Sequence, residues 1–329
     1  MIFALAMFAG MAPQAIAERL RSEAATYYAN VVQIAHVTSR DNAFDYFWRL
    51  RNDANSWTDP NANYIRTDEG RRAFAAMSEL DFSLASQLIA RSYQPMGSIR
   101  GLGETLIKSS TDGTMQPVAL YVPTQYSPSK PAQLVVFLHG SNQPESNLVA
   151  LPIISRLAEE TNTIVVAPYG RNADDFKGTE SDVYDALAAA DAAFAIEPGH
   201  QYLAGYSMGG FSVYSVAPLK PSDWNAVLSV AGALVQRKAA RATSTMHNLR
   251  IYIVTGSADG LVPTLWPQLT ASYLRDAGFR VSFYSQQNGT HDLRSLTAAL
   301  PQAWDDMERG AVNLPWNLPS GGGLPVANP

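Results

Sequence analysis

From about Gly97 onward, short runs of β-branched and apolar residues alternate with segments of helical periodicity, and this alternation constrains the fold more than any other feature of the chain. The runs are Val118–Val122, Leu134–Leu138, Thr163–Ala167, Tyr202–Gly205, Ala226–Val230, Ile251–Thr255 and Val281–Tyr284. Several are apolar at nearly every position, as strands covered on both faces must be. The helical segments between them have recognisable ends. One opens at Thr179 or Ser181 with Asp182 in the T-x-x-D position of a capping box, carries Val183, Leu187, Ala190 and Phe194 on one face, and stops at Pro198-Gly199. Another runs from about Thr264 to Ala277 and ends at Gly278, the residue best suited to a left-handed cap. The pattern predicts an α/β fold with a mostly parallel central sheet and helices on both faces.

The preceding region, 18–96, reads as helical and aromatic. Leu20, Tyr27, Val31 and Ile34 recur at helical spacing, Phe44, Phe47 and Leu50 mark a second segment, and Phe74, Met77, Leu80, Leu84 and Leu88 a third over Arg71 to Ala90. A loop rich in turn formers, Asn55 to Asn61, separates the last two. No chemistry is legible in these helices, which are expected to pack against the α/β unit or partly roof its cleft. Ahead of them, an apolar stretch from Ile2 to Pro13 is followed by Ala15-Ile16-Ala17, an A-x-A-like cleavage signature. It is too short to span a membrane. Residues 1–17 are therefore expected to act as a signal peptide directing export to the periplasm or beyond, although no Lys or Arg precedes the apolar run. The alternative for the same stretch is a buried N-terminal helix. The α/β unit extends over 97–310, and 311–329, with Ser320 followed by three glycines and several prolines, reads as a flexible tail.

Composition removes several classes of function. The net charge is −5 and no basic run is present, which argues against a nucleic-acid partner. With no cysteine, the chain can form neither disulfides nor thiolate metal sites, and it has no cysteine nucleophile. The five histidines are scattered and form no H-x-H or H-E-x-x-H pair, so a histidine-rich metal site is not expected, while carboxylate ligands stay open.

Against this background Gly205-Tyr206-Ser207-Met208-Gly209 stands out. A nucleophile elbow of the form G-x-S-x-G needs a strand before the serine, a helix after it and small residues to permit the turn. Gln201 to Ala204 supplies the strand, Phe211 to Val216 the helix, and Gly205, Gly209 and Gly210 the space. A serine is a weak nucleophile until an imidazole accepts its proton and a carboxylate orients that imidazole. Of the histidines after Ser207, His247 precedes a strand and so lies at its amino end, whereas His291 follows the last strand and falls at the carboxyl edge, where α/β sheets do their chemistry. Asp259, in the loop after Ile251–Thr255, precedes His291 by one helix and one strand. Asp223, Asp276 and Asp292 are less well placed. The oxyanion hole is expected to use the backbone N–H groups of Met208 and Ser141, the latter in the loop after Leu134–Leu138, which His139 shapes. Tyr206, Trp266 and Tyr169 are candidates for lining the substrate pocket.

The elbow, the His139-Gly140 loop, the Gly-x-x-Asp-x-x-Val-Pro stretch from Gly256 to Pro263 and Gly289-Thr290-His291 together support a resemblance. From about Gly101 to Arg309 the chain resembles α/β-hydrolases of an esterase group, above all its polyhydroxybutyrate-depolymerase-like and feruloyl-esterase-like members, which merge with prolyl-oligopeptidase-type catalytic domains. Asp112-Gly113-Thr114 followed by Leu120 to Pro123 is similar to their first hairpin, and Ala167 to Asn172 and the helix opening at Asp182 to their next elements. The resemblance implies the α/β-hydrolase fold, a Ser207–Asp259–His291 triad and no cofactor. The implied activity is hydrolysis of a small-molecule or polymer-derived ester. Alternatives are a serine peptidase of the prolyl-oligopeptidase type, acyl transfer to an alcohol, and a non-catalytic binding protein of this fold. The chain departs from the group in its N-terminal helices and in lacking the disulfides that secreted depolymerases often carry. The interval between Val230 and Ile251 is too short for a large lid.

Overall fold

Residues 7–8, 10–62, 65–313 and 324 are described by a computed structural model. Eight strands form one sheet: β1 (Gly101–Lys108), β2 (Met115–Val122), β3 (Ala132–Leu138), β4 (Thr163–Pro168), β5 (Ile196–Tyr206), β6 (Ala226–Val230), β7 (Arg250–Gly256) and β8 (Arg280–Gln286). Their order is β1-β2-β4-β3-β5-β6-β7-β8. β2 pairs antiparallel with both β1 and β4, and every other pairing is parallel. Helices α5 (Glu145–Val149), α6 (Pro152–Thr161), α7 (Glu180–Ala193), α8 (Met208–Val216), α9 (Gln236–Thr245), α10 (Leu265–Asp276) and α11 (Ala299–Glu308) fill the connections.

The alternation of side chains along each strand accounts for the two layers of helices. In β3, Leu134, Val136 and Leu138 join one core with Val183, Val213 and Leu274 of α7, α8 and α10. Val135 and Phe137 point the other way, into a core with Leu148, Ile154 and Trp304 of α5, α6 and α11. Each fully buried side chain of this size contributes about 1.5–3 kcal/mol.

The structure corrects the sequence reading at several local points. The helix before β5 ends at Ala193, and Pro198-Gly199 lie inside the strand rather than stopping the helix. Pairing with β3 skips from Ala132↔Ile196 to Leu134↔Gln201, so the four residues between leave the ladder, where a proline loses no hydrogen bond. The capping box does not form. Thr179 Oγ1 donates instead to the carbonyls of Gly170 and Phe176, and the Asp182 carboxylate accepts from Arg171 and Ser109.

The N-terminal region folds as α1 (Pro13–Ala29), α2 (Val31–Thr38), α3 (Arg40–Ser56) and α4 (Asp68–Ala90). The run read as one segment from Leu20 to Ile34 breaks at Asn30, whose N–H bonds back to Tyr27. Ser39, at φ 111°, then caps α3 by accepting from Asn42. The helices share a core of Leu20, Tyr27, Leu50, Phe74 and Leu84 that continues onto Leu106 of β1 and Tyr169. Ala15-Ile16-Ala17 falls in the first turns of α1 with Ile16 and Ala17 buried, so cleavage after Ala17 would remove part of this core. Residues 1–6 and 9 of the apolar stretch lie outside the described residues, as do 314–323 and 325–329 of the expected tail. Among the described residues no helix is long and apolar enough to cross a membrane.

A buried ionic network joins these helices to the α/β unit. The Arg49 guanidinium of α3 forks onto both oxygens of Glu145 at 2.9 and 3.1 Å and reaches Asp45 at 3.1 Å, with Asp81 of α4 at 3.9 Å. It also lies over the rings of Tyr46 and Tyr169. Ser146 donates to Asp81, which clamps α5 onto α4. Asp53 and Glu104 are buried close by, and one cation cannot balance so many carboxylates. Burial pushes Asp53 and Glu104 well up and Asp81 up to about 6. Burial acts on Glu145 in the same direction, but Arg49 outweighs it and holds that carboxyl below its ordinary value.

Glu308, at the end of α11, gives a test of burial. Its carboxylate accepts from Thr161 at 3.0 Å and from Thr163, and burial raises its pKa from 4.5 to about 7. The folded chain therefore takes up a proton there that the unfolded chain has released between pH 4.5 and 7, and stability falls as pH rises through that window. The penalty above the window is about 3 kcal/mol. Glu308→Gln is expected to be more stable than the wild type at pH 8, with the advantage shrinking toward pH 5. Urea unfolding at the two pH values checks this.

Candidate active site

β5 delivers Tyr206 to the carboxyl edge of the sheet and α8 begins at Met208, so Ser207 occupies the turn between them with φ 53° and ψ −116°. A non-glycine residue in that region is strained, and strain of this kind is tolerated where the surroundings over-determine it. Two glycines make the turn feasible. A Cβ on Gly205 would lie 2.1 Å from the Gly209 carbonyl oxygen, and one on Gly209 would lie 2.2 Å from that of Leu138. The Ser207 N–H donates to the Val230 carbonyl at 2.9 Å, tying the elbow to β6.

The loops after β7 and β8 are laced together. Ser257 N–H donates to Gln286 at 2.9 Å, Ala258 N–H to Gly289 at 2.8 Å, and Asn288 N–H to Ser257 Oγ at 2.8 Å. This lacing brings Asp259 to His291. Asp259 Oδ2 lies 2.8 Å from His291 Nδ1, and Oδ1 accepts from the Leu261 and Val262 N–H groups at 2.9 and 2.8 Å. His291 Nε2 in turn lies 2.8 Å from Ser207 Oγ. With the Asp259 side chain inaccessible and that of His291 only 17% exposed, the carboxylate acts on the imidazole with little screening by water. A proton on Nδ1 facing Asp259 leaves Nε2 free to accept from the serine hydroxyl. Tyr206 steadies the ring from the elbow side: its hydroxyl donates to the His291 carbonyl at 2.6 Å and its ring centroid is 5.4 Å from the imidazole.

The other titratable candidates go elsewhere. His247 stacks on Phe279, and both ring nitrogens of His139 lie 2.9 Å from carbonyls, those of Gly140 and Tyr169, consistent with a loop-shaping role. Asp223 lies in a turn before β6, Asp276 ends α10, and Asp292 is engaged by Arg294. Burial acts upward on Asp292, but Arg294 holds its carboxyl below the ordinary range. Among the described residues no group of His, Asp or Glu is arranged to hold a metal ion.

Met208 heads α8 and Ser141 lies in the loop after β3, the strand beside β5, so both backbones reach the same edge of the sheet. Of the three aromatic candidates, only Tyr206 lines the cavity at His291. Tyr169 is buried, with its hydroxyl donating to Asp45 at 3.0 Å, and Trp266 sits half-buried in the first turn of α10. Sequence reasoning allowed the N-terminal helices to roof the cleft in part but named none of the residues in the far wall of that cavity, which has a volume of about 590 Å³ and draws Asp53 from α3 and Phe74 and Met77 from α4. The available signal was a pair of small residues, Gly70 and Ala73, on the same face of α4 as Met77.

The strand order, the lone antiparallel β2 and the elbow at the carboxyl end of β5 define the α/β-hydrolase fold. Comparison with solved structures agrees. A CE1 ferulic acid esterase from Anaeromyces mucronatus, solved in complex with ferulic acid, matches with a TM-score of 0.53 at 15% identity over 61% of this chain and 88% of that one. The S-formylglutathione hydrolase FrmB of Staphylococcus aureus matches with a TM-score of 0.52 at 16% identity over 63% of this chain and 98% of its own. A thermostable esterase matches with a TM-score of 0.48 at 18% identity, and there the match spans 61% of that enzyme's length. No protein-family model and no curated protein sequence matches the chain. At these identities the likeness defines the fold.

Proposed function

We propose that the protein is a serine hydrolase that cleaves carboxylic esters through an acyl-enzyme. The observation that carries the reading is the continuous relay Ser207–His291–Asp259, with both hydrogen bonds at 2.8 Å. In the proposed reaction His291 Nε2 takes the Ser207 proton as Oγ adds to the ester carbonyl. The N–H groups of Met208 and Ser141 receive the negative charge that develops on the carbonyl oxygen. The imidazolium, held by Asp259, then returns the proton to the leaving alcohol, and water, activated by the same imidazole, releases the acid. No step needs a cofactor. That solved proteins of the same fold include esterases supports an ester over an amide substrate.

A panel of p-nitrophenyl acyl esters, feruloyl esters and aminoacyl anilides tests the proposal, together with a fluorophosphonate probe. Ester cleavage with labelling at Ser207 is expected. Cleavage of anilides in preference to esters would establish the peptidase alternative, and labelling without hydrolysis would point to transfer onto another alcohol. Export remains proposed on the apolar stretch from Ile2 to Pro13 and the Ala15-Ile16-Ala17 signature after it; protein recovered outside the cytoplasm with an N-terminus at Glu18 would bear it out, whereas an uncut N-terminus would establish the buried-helix alternative, which the burial of Ile16 and Ala17 favours.

A further inference from the structure

The cavity beside His291 has an inner wall made by the hydrolase loops and an outer wall made by the N-terminal helices. Its geometry points to a role for α4 that the triad chemistry does not require. We propose that this cavity receives the alcohol half of the ester, that the alcohol carries no negative charge and is about the size of an aryl group, and that α4 sets its upper size. The inference rests on the esterase reading above.

Three observations carry it. First, the imidazole that must return a proton to the leaving oxygen is itself part of the cavity wall, so an alcohol leaving from Ser207-bound ester occupies the space His291 faces. Second, α4 turns Gly70, Ala73 and Met77 toward that space, at spacings that put them on one helical face. Gly70 and Ala73 leave a hollow there, bounded by Met77, which Asn147 holds through a 3.4 Å contact to its sulfur, and by Phe74, packed on Trp57. The volume of about 590 Å³ is in the range of small-molecule sites and far exceeds what a methyl group needs. Third, the wall offers no free cation to a ligand. Arg294, the cation of that wall, is paired with Asp292 at 2.5 Å, and burial pushes the Asp53 carboxyl well above the usual carboxylate range. A carboxylate- or phosphate-bearing alcohol would find no free cation there.

Two ester series separate the halves of the substrate: acetates of methanol, phenol and 2-naphthol, and methyl esters of acetic, benzoic and 2-naphthoic acids. Ala73→Trp fills the hollow. Its kcat/KM relative to wild type is expected to fall with alcohol size, by about tenfold more for 2-naphthyl than for methyl acetate, with no such gradient along the acyl series. Met77→Ala widens the hollow and is expected to give the opposite gradient on the same acetates, which keeps the proposal testable should the tryptophan variant fail to fold. A gradient along the acyl series, or one common factor for every substrate, overturns the proposal. A wild-type protein that cleaves neither series overturns the esterase reading itself, a distinct result.

Discussion

Ser207→Ala is expected to lower kcat for ester hydrolysis by roughly 10⁴- to 10⁶-fold and to abolish fluorophosphonate labelling, with the melting temperature little changed. The effect is large because the attacking oxygen is removed outright, leaving His291 and Asp259 with no proton to move. The fold is expected to survive because Oγ bonds only to the His291 side chain, whereas the backbone of the turn is held by the Val230 and Phe211 bonds. Some rate above that in water should persist, since the N–H groups of Met208 and Ser141 would still polarise a bound ester. Asp259→Asn should leave the geometry in place and still depress kcat steeply, because the amide no longer fixes the imidazole tautomer. Hydrolysis by Ser207→Ala at the wild-type rate would remove the basis of the proposed function.

Arg49→Met is expected to destabilise the protein by about 3–5 kcal/mol in urea unfolding at neutral pH, more than loss of an exposed ion pair would. The side chain is only 10% exposed, and its removal would strand Glu145, which has no accessible surface, beside Asp45 and Asp81. An unpaired buried carboxylate is the costly species here, rather than the missing attraction. The sign with pH follows. Arg49 lowers the Glu145 pKa in the folded wild type, so its contribution is present at neutral pH and is lost as pH falls through the folded value. The gap between variant and wild type should therefore narrow in acid, where Glu145 and Asp81 become neutral in both. Arg49→Lys, which keeps a charge but cannot fork onto both Glu145 oxygens, is expected to fall between them.

Strands whose residues are apolar on both faces were the most legible part of the chain. Ala226–Val230 was read with its observed ends because each of its residues is buried. The candidate triad was legible for a related reason: in a parallel sheet, a loop that follows a strand must emerge at the carboxyl edge, so Asp259 and His291 could be placed by their strands alone. β1 escaped notice because it is an edge strand with two glycines, a buried Glu104 and no continuous apolar run. The capping box failed because Asp182 had a stronger partner in Arg171, which no local pattern announces. Tyr169 and Trp266 share an edge with Ser207, but the direction of an aromatic side chain depends on tertiary neighbours such as Asp45. Helical spacing likewise identified the apolar stripe of α4 without saying that part of it would face a cavity.

The network around Arg49 has a mechanical consequence. Glu145, the residue it grips, opens the helix that directly follows the loop carrying Ser141, and Ser146 of the same turn is fastened to Asp81. The donor proposed for the developing oxyanion is thus moored, within a few residues, to the layer of helices that precedes the hydrolase sheet in the chain. That layer behaves as a buttress: a chain cut back to Gly97 would keep every residue of the triad and still lose the strut that sets its oxyanion loop.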